Sequence, residues 1–219
     1  MTRKELNEYW RYYLLLEKRF IETIDYTELN QNNYTSFSNN YALLMQAIGA
    51  EMDTIFKLYC GFNTDDRKTI ADYVKVIDDE EQNLKPKYAV DHPFRVQKVN
   101  VAGYDITLQP FKDWDSNKPK QSLVWWDAFD CLKHNRYESR EKANQKNALD
   151  ILCALFLLEM KILKKITEGT EELDVFENGS ELFSLKSWST KAIPLNDTFD
   201  VIADMIEQGD NYSPSPFDV

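Results

Sequence analysis

The run from Glu141 to Ile166 constrains this chain more than any other. It contains no Gly or Pro, and its middle carries Ala148, Leu149, Leu152, Leu155, Phe156, Leu158, Met160 and Leu163. At helical spacing these residues face nearly every side, so the helix must lie at the centre of a bundle or at an interface. A chain of 219 residues with 43 % hydrophobic content has enough apolar mass to surround such a helix. Its most apolar part, Ala148 to Leu158, is broken by Asp150 and is too short to span a bilayer.

The rest of the chain supplies partners for it. From about Lys4 to Leu29, Leu6, Trp10, Tyr13, Leu14, Phe20, Ile21 and Ile24 recur at three- and four-residue steps, which predicts a long amphipathic helix. A polar connector, Asn30 to Asn40, ends at Ser38, whose hydroxyl can cap a second helix over about Asn39 to Cys60, with Gly61 placed to end it. A third helix is expected from Asp65 or Asp66 to about Glu81. The period then changes: Phe94 to Phe111 alternates around Val99, Val101, Tyr104, Ile106 and Leu108, with Ala102-Gly103 as a turn, and reads as one β-hairpin. A lone hairpin is marginal, so it must lie on the helices or pair with a further strand. After a polar loop, Asp113 to Gln121, Ser122 can cap another helix that runs to the cluster Lys133-His134-Asn135-Arg136.

The fold class expected is mainly α: an up-and-down helical bundle over residues 1–167, with one inserted β-hairpin at about 94–111. Residues 168–219 form an irregular acidic C-terminal extension packed on the bundle. Nearly all of the net charge of −11 belongs to that extension. Residues 1–167 hold 24 basic against 25 acidic side chains, whereas residues 168–219 hold 2 against 12. Within the extension, Leu182 to Trp188 has strand character, Phe199 to Ile206 could form a short helix, and the SPSP ending should be extended.

Composition excludes several chemistries. Six glycines in the whole chain, and no GxxxxGK[ST] or GxGxxG, argue against phosphate-loop folds; no HExxH or GxSxG is present. Two histidines and three unclustered cysteines (Cys60, Cys131, Cys153) supply no recognisable zinc site, so no metal and no cofactor is expected. The odd cysteine count without a CxxC pair, and the lack of an apolar leader in MTRKELNEYW, point to reduced thiols in a cytoplasmic protein without a membrane partner.

Candidate chemistry collects around His134. On a helix Asp130 and His134 are neighbours four residues apart, so the carboxylate can orient the imidazole, with Lys133 and Arg136 adding positive charge and Trp126 one turn before Asp130. Such a group could contact phosphate or act as a general acid or base. Equally, Lys133 to Arg136 reads as a polar helix end whose cations complement the helix dipole. Glu51 is the second oddity, because Leu44, Ile48, Ile55 and Leu58 place it within or beside an apolar stripe, where a carboxylate needs a partner. Lys133, His134 or Arg136 would serve if their helix packs on the second; a glutamate at the solvent edge is the alternative. His92, in DHPF before a proline, reads as a loop histidine that packs on the surface or hairpin.

WWDAFDCLKHNR, Trp125 to Arg136, followed by ANQKNALDILCALFLLEM, resembles the second half of a HEPN-like helical domain, and YALLMQAIGAEMDTIFKLYCGF, Tyr41 to Phe62, is similar to its earlier helix with an internal glutamate. The resemblance leaves out the hairpin and the acidic extension. It implies a helical bundle, commonly a homodimer, found in bacterial defence and toxin–antitoxin systems or as a non-catalytic partner. Active ribonucleases of that superfamily carry an arginine a short spacer ahead of the histidine. Here those positions hold Asp127, Ala128 and Phe129 ahead of His134, and Lys85, Pro86 and Lys87 ahead of His92.

The leading expectation is therefore a degenerate, non-catalytic HEPN-like protein acting by homodimerisation and partner binding, with apolar surface on the Ala148 to Leu163 helix as its contact face. Two alternatives stand beside it. One is a metal-independent ribonuclease in which His134 acts on RNA with Arg136 or Lys133. The other is an acidic decoy whose extension binds a basic protein.

Overall fold

The computed structural model describes residues 1–83 and 93–186, together with residues 188 and 190. The chain is mainly helical, a helical bundle with a small three-stranded antiparallel sheet. Among the described residues no helix is long and apolar enough to cross a membrane. His92, the expected helix at 199–206 and the SPSP ending lie outside the described residues.

Helix α1 spans Arg3–Ile24. Thr2 opens it with a capping box: its hydroxyl accepts the Glu5 N–H, and the Glu5 carboxylate accepts the Thr2 N–H at 2.7 Å. Leu6, Trp10, Tyr13, Leu16 and Phe20 form its buried stripe. The stripe takes in Leu16 and leaves Leu14, Ile21 and Ile24 at its edges. The helix stops short of the expected Leu29, which is buried from the connector instead. Helix α2 spans Asn39–Tyr59; Ser38 caps it as expected, and Gly61 follows with φ 74°, a left-handed value that glycine reaches without strain.

Helix α3 covers Ile70–Asn83 and starts later than Asp65 or Asp66, because Asp66 turns back to accept the Asn63 N–H at 3.1 Å. Helix α4, Val124–His134, has no side-chain cap. Ser122 does not cap it. Its hydroxyl accepts the Asp115 N–H at 3.0 Å and closes the preceding loop, whose Trp114 is buried with its indole N–H on the Pro119 carbonyl.

Helix α5, Gln145–Thr167, begins after the expected Glu141. Arg140–Lys142 forms a single 3-10 turn, and Asn144 caps α5 by accepting the Asn147 N–H. Every residue from Ile151 to Glu159 is buried. Helices α1, α2 and α4 and one strand of the sheet pack on it. The expectation that this helix offers an apolar contact face is thus overturned: its own bundle covers it.

The expected hairpin is part of something larger. Strands β1, Val99–Val101, and β2, Ile106–Leu108, pair around a turn in which Gly103 takes φ 78°. A third strand, β3 (Phe183–Leu185), comes from the acidic extension and pairs with the other edge of β1, giving the order β2-β1-β3. The extension reaches that edge along α1. Two backbone carbonyls, of Leu173 and Val175, accept from the Arg3 guanidinium, and the Trp10 indole N–H donates to the Asn178 carbonyl at 2.7 Å. Phe176 stacks on Trp10 with ring centroids 3.9 Å apart and planes 3° from parallel.

Glu17, buried on α1, anchors the end of this path. Its carboxylate accepts from the Tyr13 and Ser180 hydroxyls and from the backbone N–H groups of Glu181 at 2.9 Å and Leu182 at 3.3 Å. Removing it leaves several buried donors unsatisfied. Glu17→Ala should cost about 3 kcal/mol or more of unfolding free energy in a denaturant titration and expose the Glu168–Lys186 segment to limited proteolysis. A variant that unfolds at the wild-type midpoint, with that segment still protected, would show that the carboxylate does not hold it.

Candidate functional site

Helix α4 presents Asp127, Asp130, Cys131 and His134 within two turns, at spacings of three and four that place them along one side. The expected pair forms: His134 Nε2 lies 3.4 Å from Asp130 Oδ1. Asp130 also takes the Lys120 ammonium, which reaches Asp127 at 4.0 Å, and Asp127 accepts from Lys142 Nζ at 2.7 Å. Lys142 Nζ further donates to Cys131 Sγ at 3.1 Å. Two carboxylates on one helix therefore gather cations from the loop before it and the turn after it. Asp130 leads the forces that hold Lys120 charged, and Asp127 those that hold Lys142 charged, so both ammonium groups titrate above the usual lysine range.

Lys120 and Lys142 are absent from the sequence reading. No local spacing ties them to α4: they lie in the polar segments on either side of it and meet it only because both segments fold back along the helix.

The three basic residues singled out in the sequence part company. The His134 side chain is 71 % exposed at the end of α4. Lys133 sits over the Phe129 ring, 5.9 Å from its centroid, and lines a cleft of about 760 Å³ between α2 and α4 together with Lys68, Lys120, Asp53 and Asp130. Arg136 lies beyond the helix, donates to Asn39 Oδ1 at 3.0 Å and borders a separate cavity of about 280 Å³ near the start of α2. Trp126 is a core residue, packed edge-on to Phe56 and Phe129, and reaches the α2–α4 cleft as part of its floor. At Gly49 of α2 an added Cβ would fall 2.3 Å from the Phe129 ring, so this glycine permits the close approach of α4 that forms the cleft.

Glu51 is not paired with Lys133, His134 or Arg136. Those residues sit at the far end of α4 or beyond it, whereas Glu51 is half-buried and acts on the charge of Glu159 in α5 and of Tyr9 in α1. Glu159 is 0 % exposed, and neither of its oxygens has a hydrogen-bond partner among the described residues. Burial first, and then the Glu51 charge, push its carboxyl well above the usual range; burial alone raises that of Glu51. A carboxyl buried in this way favours its uncharged form. Among the described residues no group of three or more His, Cys, Asp or Glu side chains is placed to hold a metal ion.

No family model, curated protein or solved structure matches this chain.

Because the folded state keeps the Glu159 proton at pH values where the unfolded chain has lost it, this group's contribution to stability is complete at low pH. It declines as pH rises above the usual glutamate range, by at most about 1.4 kcal/mol per pH unit. Glu159→Gln removes that decline. Unfolding titrations of both proteins from about pH 5 to about pH 8 should show the variant gaining on the wild type as pH rises. A pH-independent difference would mean that Glu159 titrates normally.

Proposed function

We propose that this chain is a non-catalytic helical protein of HEPN-like character that works by self-association and partner binding, through the face formed by α1, α2 and the connector between them. One observation carries the reading: large apolar side chains stand exposed together there. Tyr26 is 90 % exposed, Leu43 66 % and Phe37 49 %, and all three line one cleft of about 670 Å³. Leu15, one turn before Arg19 at the edge of that cleft, is exposed as well. A folded bundle that buries the middle of α5 on every side has no packing reason to leave this cluster in water.

The occupant best suited to it is a second copy of the chain. Exposed charges beside the patch are paired within α1, Glu8 with Arg11 and Arg19 with Glu22. With those charges already paired, the apolar cluster is what the face offers, and the same cluster on a second copy is complementary to it across a two-fold axis.

The spread of the basic residues supports the non-catalytic side of the reading. A histidine that moves protons on RNA needs a cation beside the phosphate, and here Arg136 is held by Asn39 while Lys133 is turned onto the Phe129 ring. The ribonuclease reading keeps one favourable observation, the exposed imidazole oriented by Asp130. For the decoy reading, Glu17, Trp10 and β1 hold residues 168–186 of the acidic extension against the body, with carboxylates such as Glu171, Glu172 and Glu177 exposed.

Sedimentation of the wild type across concentrations should show a dimer, and Leu43→Asp with Tyr26→Asp a folded monomer. A wild type that stays monomeric throughout removes the reading. Purified protein mixed with RNA in EDTA should leave it intact; cleavage that disappears in His134→Ala would replace this function with the ribonuclease.

A further inference from the structure

The three cysteines meet different surroundings. Cys153 is wholly buried in α5, and burial holds its thiol well above the ordinary range. Cys60 is pushed up to about 12 by burial and then by the Glu80 charge. Cys131 is partly exposed on α4, and its sulfur accepts from the Lys142 ammonium at 3.1 Å while the same nitrogen donates to Asp127 at 2.7 Å. Lys142 is itself open to solvent, with 43 % of its side chain exposed. Sulfur, nitrogen and a proton-accepting carboxylate thus meet where a small oxidant can reach them.

We propose that Cys131 and Lys142 are a peroxide-responsive pair that closes into a covalent sulfur–oxygen–nitrogen cross-link. In the first step one hydrogen peroxide oxidises the thiol to a sulfenic acid and leaves as water. In the second, the ammonium gives up its charge-bearing proton through Asp127 to solvent, and a second peroxide oxidises the amine as its nitrogen joins the sulfenic oxygen. The sulfenic O–H and one N–H bond break, one N–O bond forms, and two waters leave. Sulfur and nitrogen each lose an electron pair, and each peroxide accepts one. A single oxygen set between the two atoms spans nearly the gap that already separates them, so neither α4 nor the turn at Arg140–Lys142 has to move far. Two dithiols, each going to its disulfide, supply the four electrons and four protons that return both residues to thiol and amine and release the bridging oxygen as water.

The link would tie the end of α4 to the turn that leads into α5 and fix the loop that carries Arg136, Tyr137 and Arg140. It stands apart from the self-association reading, because neither residue lies on the α1–α2 face.

The test is peptide mass spectrometry of the intact protein digested before and after treatment with hydrogen peroxide. The expected product is one joined pair of peptides, carrying Cys131 and Lys142, whose mass exceeds the sum of the two by one oxygen less two hydrogens, and which a dithiol separates again. Oxidised wild type should also unfold at a higher temperature than reduced wild type. Lys142→Arg keeps the charge and should show neither the pair nor the shift, its Cys131 going on to sulfinic acid; Cys131→Ser should show neither. Circular dichroism confirms that both variants are folded. Wild-type protein in which Cys131 reaches sulfinic acid with Lys142 unmodified overturns the proposal, as does a joined pair that lacks the extra oxygen.

Discussion

A helix whose middle has no solvent-facing side dictates the rest of this molecule. Nine consecutive residues of α5, Ile151 to Glu159, are buried, so cover has to arrive from every direction. Helices α1, α2 and α4 each present an apolar stripe to it, and each has an exposed side of its own, as amphipathic helices do. Three stripes do not close the circle. The acidic extension completes it, with Phe183 of β3 against Phe156 at a centroid distance of 5.5 Å and Leu182 buried beside it. A segment whose charge suggests a solvated tail is, over residues 168–186, part of the core's wall.

That recruitment needs polar anchors, because a stretch with so many carboxylates gains little from apolar burial alone. Glu17 supplies the main one by offering a buried acceptor to backbone N–H groups that would otherwise be lost on leaving water. The Arg3 guanidinium does the reverse for two carbonyls of the same segment. Once anchored, the chain pairs with the free edge of β1, and the two-stranded hairpin gains the third strand that makes so small a sheet viable. The helical and β parts of the fold are thereby coupled through one carboxylate on α1.

Helices were the legible part of the sequence. Periodicity located α1, α2 and α5, and Ser38 and Gly61 marked the ends of α2, because capping and left-handed turns depend on residues close in the chain. Ser122 misled for the same reason: its hydroxyl had a competing partner in Asp115, and local pattern cannot say which donor wins. The strand at Phe183–Leu185 was faintly visible as a pattern, whereas its pairing with β1 depends on long-range contacts that no window of sequence contains. At the candidate site the Asp130–His134 pair was readable as a four-residue spacing. Lys120 and Lys142 were not, since their approach depends on how two loops fold back, and Glu159 hid at the end of the most apolar run of the chain.

The same geometry explains why the basic residues near His134 do not converge. Lys120 and Lys142 already answer Asp130 and Asp127, at 2.7 Å in the case of Lys142. A network closed in this way ties the loop before the helix to the turn after it, and its charges are largely spent on one another. Lys133 faces the α2–α4 cleft, and Arg136, past the helix end, meets α2 at Asn39. What this cluster does for the fold is to pin a short, uncapped helix at both ends. The thiol caught beside the pinning lysine is what gives that clamp a chemistry of its own.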